Sequence, residues 1–205
     1  MVDNGKEHLI ELVQESKTDA ELAEKLGDLS QWADAITPSI VGLMVVKGFT
    51  GAAEAIAERN LVDISAPSVY IPSMGIDGML PMIAMQCDHA ELAEKWIDRL
   101  STEALSQKDD NGLLCLHYAI LHNMGPLAIK IAKRMTPQQI SNMEENPRTT
   151  TAYATPMDDI YKKELRRILA DAKTIGESQK WQRLAEKVRD ATPDYWLGDG
   201  RGGGI

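Results

Sequence analysis

Apolar residues recur at helical spacing along most of this chain, and short polar or glycine-containing joints separate the runs. Between Gly5 and Ser16, Leu9, Ile10, Leu12 and Val13 form one stripe. After the joint Ser16-Lys17-Thr18, a second stripe runs through Leu22, Leu26 and Leu29, with Thr18 or Asp19 as its cap. The next pair is predicted from Pro38 through Val46 and from Ala52 through Arg59, with Gly48 and Gly51 supplying the turn between them. Pro67, Pro72, Gly75 and Gly78 forbid a helix over 65–78, where Val69-Tyr70-Ile71 reads as locally extended. Helices are then expected over 80–86 and 90–100, and, after a polar break at 107–112, over Cys115–His122 and Pro126–Met135. Two charged helices close the pattern, Asp158–Lys173 and Glu177–Asp190.

The second helix of each pair carries one recurring phrase. It reads Leu22-Ala23-Glu24-Lys25, Ile56-Ala57-Glu58-Arg59, Leu92-Ala93-Glu94-Lys95 and Leu127-Ala128-Ile129-Lys130, at steps of 34, 36 and 35 residues. From Leu92 the match continues at a shift of 35: Trp96 with Ile131, Leu100-Ser101 with Met135-Thr136, and Leu105-Ser106 with Ile140-Ser141. A helix that stacks on its neighbours must repeat its small and large residues, and this one does. Such a period belongs to helix-pair solenoids, whose stacked repeats form extended surfaces for holding other molecules.

Composition narrows this further. The 205 residues are 43% hydrophobic and 26% charged, an ordinary folded composition. One Phe against ten Met gives a core of Leu, Ile, Ala and Met, with methionine filling irregular gaps. The net charge of −9 argues against direct nucleic-acid binding and against an anionic membrane surface. Residues 1–35 hold nine acids against three lysines, whereas 158–190 hold nine Lys or Arg against seven acids. Cys87 and Cys115, both in apolar helical context, read as free buried thiols of a cytoplasmic protein. The acidic, polar N-terminus shows no signal-peptide pattern, and the longest apolar run, 40–46, is too short to span a bilayer.

At 109–119 the chain reads Asp-Asp-Asn-Gly-Leu-Leu-Cys-Leu-His-Tyr-Ala, which resembles the opening of an ankyrin repeat. Asp109, Gly112, Leu116, His117 and Ala119 match that family's pattern, while Leu114 and Cys115 stand where it has Thr and Pro. One repeat earlier, Gly78, Pro81 and Met82 fall in the same register, and the family's closing Gly-Ala-Asp element is absent. The motif covers 75–141 and the period about 5–170. The resemblance implies an all-α, ankyrin-like solenoid of about four helix pairs with helical caps. Its parts would be an acidic N-terminal pair (1–36), a repeat array (37–174), a C-terminal helix (175–194) and a flexible Gly-rich tail (195–205). It further implies partner contacts from turn positions Ile76, Asp77, Met79, Asp110, Asn111 and Leu113, and from Leu121 and His122 on an inner helix. Ile76, Met79 and Leu113 would be exposed in a plain solenoid.

Sought chemistry is sparse. His117 is expected to hydrogen-bond backbone, and its five-residue spacing from His122 does not suit a pair of metal ligands on one helix face. Gly198-x-Gly200-x-x-Gly203 lacks the strand and helix that a dinucleotide site needs. No metal and no cofactor are expected, and no catalysis. The expected function is that of an adaptor or inhibitor whose partner is another protein, bound through the concave face. A second reading makes the acidic helices a decoy, of the viral or bacterial kind, for a basic, nucleic-acid-binding target. A third places an unrecognised enzyme site in 142–196, around Tyr153, Asp158 and Asp159. In the tail, Tyr195, Trp196, Leu197 and Arg201 form a candidate docking segment, and self-association through oppositely charged ends is a further option.

Overall fold

The computed structural model describes residues 3–67, 69–71, 78–143 and 159–191. Among these it is all-helical, with α1 (Asp3–Glu15), α2 (Asp19–Leu26), a 3-10 turn (Leu29–Trp32), α3 (Pro38–Val46), α4 (Thr50–Glu58), α5 (Leu80–Gln86) and α6 (Ala90–Arg99). There follow α7 (Thr102–Leu105), α8 (Cys115–Leu121), α9 (Gly125–Arg134), α10 (Pro137–Met143) and α11 (Asp159–Ala191). Consecutive helices pair, α1 with α2, α3 with α4, α5 with α6 and α8 with α9. The first members also pack on one another in the order α1, α3, α5, α8, so they form an inner row. α11 lies on α9 and α10.

The 35-residue register seen in the sequence is a register of structure. Every boundary of α5 and α6 recurs 35 residues later in α8 and α9, and α10 begins 35 residues after α7. The caps repeat too: the Ala104 N–H donates to Ser101 Oγ and the Gln139 N–H to Thr136 Oγ1, each at 3.2 Å. Three pairs share one inter-helix turn, in which Gly48, Asp88 and Asn123 take left-handed φ values of 83°, 59° and 56°. The next amide reaches back to the helix, Phe49 N–H to Met44 O, His89 N–H to Ala84 O and Met124 N–H to Ala119 O, at 2.8–2.9 Å. Asp and Asn are the residues after glycine that best tolerate this conformation.

Burial explains why the four-residue phrase recurs. Ile56-Ala57, Leu92-Ala93 and Leu127-Ala128 are all buried, and only Ala23, in the first pair, is exposed. The phrase's cations look solvent-facing, yet most of them reach one repeat back. Arg59 lies 3.8 Å from Asp28, Lys95 pairs with Glu54, and Lys130 pairs with Glu94 at 2.9 Å and Asp98 at 2.7 Å. Such exposed pairs contribute little individually. Arg99 and Arg134, themselves 35 apart, do more: Arg99 donates to Ala57 O, and Arg134 to Ile97 O and Leu100 O. They add a donor to carbonyls at the end of the preceding outer helix, where Ala57 O and Ile97 O also accept from the Asn60 and Leu100 N–H groups.

Two expectations are corrected. Gly51 is not part of the turn but lies in the first turn of α4, where a Cβ would meet Asp19 Oδ2 at 2.6 Å. Thr18 is the cap of α2, which leaves the Asp19 carboxylate to accept from the Gly51 and Ala52 N–H groups at 2.6 and 2.9 Å. Nor do two helices close the chain: α11 runs unbroken through 174–176. Gly176 is a packing notch, since a Cβ there would collide with Ser141 Oγ and stand 3.0 Å from Pro137 O on α10. Gly125 answers it on α9, where a Cβ would overlap the Tyr161 ring of α11. In an ordinary exposed helix Gly→Ala gains about 1 kcal/mol. Here Gly176→Ala is expected to lower stability by about 1–2 kcal/mol, because overpacking outweighs propensity. Thermal denaturation checks this; a raised Tm would mean that α11 is not seated against α10.

Candidate functional site

The best-defined surface feature is the turn before α8. The Asp109 carboxylate, only 6% exposed, sits at its centre. Oδ1 accepts from the Asn111 N–H at 2.9 Å and the Leu113 N–H at 2.7 Å, and Oδ2 accepts from the Tyr118 hydroxyl at 2.6 Å. Backbone bonds close the loop around it, Asp109 N–H to Leu113 O and Gly112 N–H to Asp109 O, both 2.9 Å. Gly112 supplies the positive φ of 76° that this closure requires. The His117 ring secures the exit, its Nδ1 accepting from the Leu114 N–H at 2.8 Å. An Asp three residues before a Gly thus builds a short finger whose backbone is fixed before anything binds.

The electrostatics of this region are those of a scaffold. Burial pushes the His117 imidazole down to about 4, and the nearby Asp109 charge only partly opposes that. With Nδ1 accepting, the ring proton sits on Nε2, which is buried and has no hydrogen-bond partner. Burial also pushes the Cys115 thiol up to about 12, so it stays protonated and is no nucleophile. Cys87, half-buried, is raised in the same way. Among the described residues no group of three or more His, Cys, Asp or Glu could hold a metal ion. A cleft between 60–65 and 99–104 is lined in part by Arg99, which already donates to Ala57 O and Asn60 Oδ1.

Of the anticipated contact residues, Asp110 and Asn111 are exposed at the finger tip, and Leu113 is half-buried against the core. Leu121 is 37% exposed, and half-buried His122 lies 3.6 Å from Asp88. These two stand at the far end of α8, about 10 Å from the finger along the helix axis. Met79 is different: it is wholly buried and offers nothing to a partner. Ile76, Asp77, Tyr153, Asp158, Tyr195, Trp196, Leu197 and Arg201 lie outside the described residues. Asp159 begins α11.

The inner row departs from an open groove. Residues 80–85 of α5 and 115–120 of α8 are buried all round. Over α3 part of the cover is the segment 69–71, whose Ile71 Cδ1 and Val69 Cγ1 would lie 2.8 and 3.4 Å from a Gly42 Cβ. Val69 and Ile71 face inwards, and Tyr70 between them is 55% exposed. Tyr70 is a surface residue outside the expected contact set. Its signal was the alternation of an extended Val-Tyr-Ile, which puts the middle side chain on the opposite face.

No helix among the described residues is long and apolar enough to cross a membrane. No family model, no curated protein and no solved structure matches the chain.

Proposed function

We propose that this chain is an ankyrin-like solenoid that serves as a protein–protein interaction module, an adaptor or inhibitor in the cytoplasm, with no catalysis of its own. The observation that supports it is the Asp109-centred finger, a turn with fixed backbone and exposed Asp110 and Asn111 at its tip. A preformed loop loses little conformational entropy on binding, so its contacts convert efficiently into affinity. Leu113 in the finger and Leu121 at the end of α8 add partly exposed apolar surface, and Asp88 beside His122 adds negative charge. The partner that fits is a protein surface with hydrogen-bond donors or cations around a small apolar patch.

The triple variant Asn111→Ala, Leu113→Ala, His122→Ala should keep its fold and bind its partner at least tenfold more weakly, a loss of about 1.4 kcal/mol or more. Capture from the host lysate by the native chain identifies that partner, and titration of both proteins against it measures the difference. Equal affinities would remove the finger and the end of α8 from the interface.

A further inference from the structure

The two ends of the helical stack carry opposite charge. Residues 3–35, spanning α1, α2 and the 3-10 turn, have nine acids against three lysines, a net of −6. At the other end, α9 and α10 have three cations and no acid, and α11 has nine cations against six acids. Folding sorts part of this charge onto outward faces. α1 buries Leu9 and Val13 and turns Glu7, Glu11 and Glu15 outwards at four-residue steps. α11 buries Leu165, Leu169 and Ala172 against α9 and α10 and leaves Lys163, Arg166, Arg167 and Lys173 exposed. Ile160, 76% exposed, heads the basic row one turn before Lys163. Half-buried Ile10 and Leu12 flank the acidic row.

Like charges at four-residue steps destabilise a helix by about 0.2–0.5 kcal/mol per pair, and an opposite row laid against them reverses the sign. We propose that the occupant of each row is the other row of a second copy, so that the chain assembles head to tail, α1 of one molecule on α11 of the next. The net charge of −9 does not forbid this. Four stacked pairs at roughly 10 Å separate the two faces by about 40 Å, several times the Debye length of about 8 Å at physiological salt. The contacting rows therefore attract each other while the repulsion of the distant ends is screened. Ile160 contributes the apolar burial that exposed charges alone do not supply. An interface between two different faces leaves one of each free, so copies add to an open chain or close into a ring.

Sedimentation of the full chain over a concentration series, in about 50 mM and about 500 mM salt, tests this. The expected result is a weight-average mass that rises above the 22.6 kDa monomer with concentration at low salt and falls back at high salt. Two charge-reversed variants, Glu7→Lys/Glu11→Lys/Glu15→Lys and Lys163→Glu/Arg166→Glu/Arg167→Glu, should each associate at least tenfold more weakly. Circular dichroism verifies that each remains folded. An equimolar mixture of the two should recover assembly in alternation: the native α11 of the first variant meets the native α1 of the second, and reversed α1 meets reversed α11, so both contacts are again complementary. A monomer at every concentration in low salt would overturn the proposal. So would association that both reversals leave intact, or a mixture that stays monomeric; the acidic row would then be left to a foreign basic protein.

Discussion

Asp109→Ala should be the most damaging single change in the repeat region, costing about 3–5 kcal/mol. The carboxylate accepts three hydrogen bonds from groups that cannot all turn to solvent. Bonds to a charged acceptor contribute about 1.5–3 kcal/mol each, and a buried donor left unpaired costs about 1–3 kcal/mol. The Asn111 amide lies at the exposed tip and can find water, so its loss is the cheapest. The Tyr118 hydroxyl cannot: its residue is 5% exposed and packs in the core beneath the finger. Against a typical stability of 5–15 kcal/mol this is a large fraction. Asp109→Asn separates the parts. Its amide oxygen can serve the two backbone N–H groups, while its NH2 meets the Tyr118 hydroxyl, so it should lose less than the alanine variant. Denaturant midpoints measure both. A loss below about 1 kcal/mol for Asp109→Ala would mean that the finger holds its shape without the carboxylate, and the case for a preformed contact surface would fall with it.

How far the sequence revealed this protein depended on how local each cause was. The 35-residue register was legible because stacked helices constrain side-chain size at fixed positions: Leu92 and Leu127, Ala93 and Ala128 are all buried in equivalent places. The finger was legible because Asp109 and Gly112 act within one turn. In sequence either Thr18 or Asp19 could cap α2; Thr18 does, and the Asp19 carboxylate binds amides 32 and 33 residues away. The expected gap between helices at 173 and 177 is closed in the structure, because a glycine such as Gly176 that admits Ser141 and Pro137 looks the same in sequence as one that ends a helix. Met79 was placed at an exposed turn by the plain solenoid pattern, and its enclosure depends on neighbours that the pattern does not specify. The sequence pattern is silent on the cations of the repeated phrase, and only the stacked partners show Lys95 and Lys130 bridging repeats. The surface itself was the least legible part, since side chains that face water are free of the packing constraint that makes a repeat recognisable.

The second large effect is a dependence of stability on pH centred on His117. The ring is 1% exposed and its pKa falls from 6.5 to about 4 on folding, so the folded protein keeps it neutral while the unfolded chain takes up a proton. Between pH 6.5 and about 4 the unfolded state therefore binds more protons, and stability must fall as the pH falls. The full drop is about 3 kcal/mol, at up to about 1.4 kcal/mol per pH unit, and the contribution levels off once both states are protonated. Glu21, Asp28 and Glu164 have lowered pKa values, through hydrogen bonds to Lys17, Ser30 and Arg167 respectively, and act mainly at the acidic end of this range. The upper half of the window thus reports chiefly on histidine. His117→Asn places an amide oxygen where Nδ1 accepts the Leu114 N–H and removes the titration. The variant should be somewhat less stable at neutral pH, because it leaves a small cavity. Its stability should nevertheless decline less steeply than that of the native protein between pH 6.5 and about 5. Denaturant unfolding across that range gives both slopes, and the ring proton signals of His117 give the folded pKa directly. A His117 resonance that titrates near 6.5, or equal slopes for the two proteins, would mean that the ring is solvated and that the exit of the finger is held by something else.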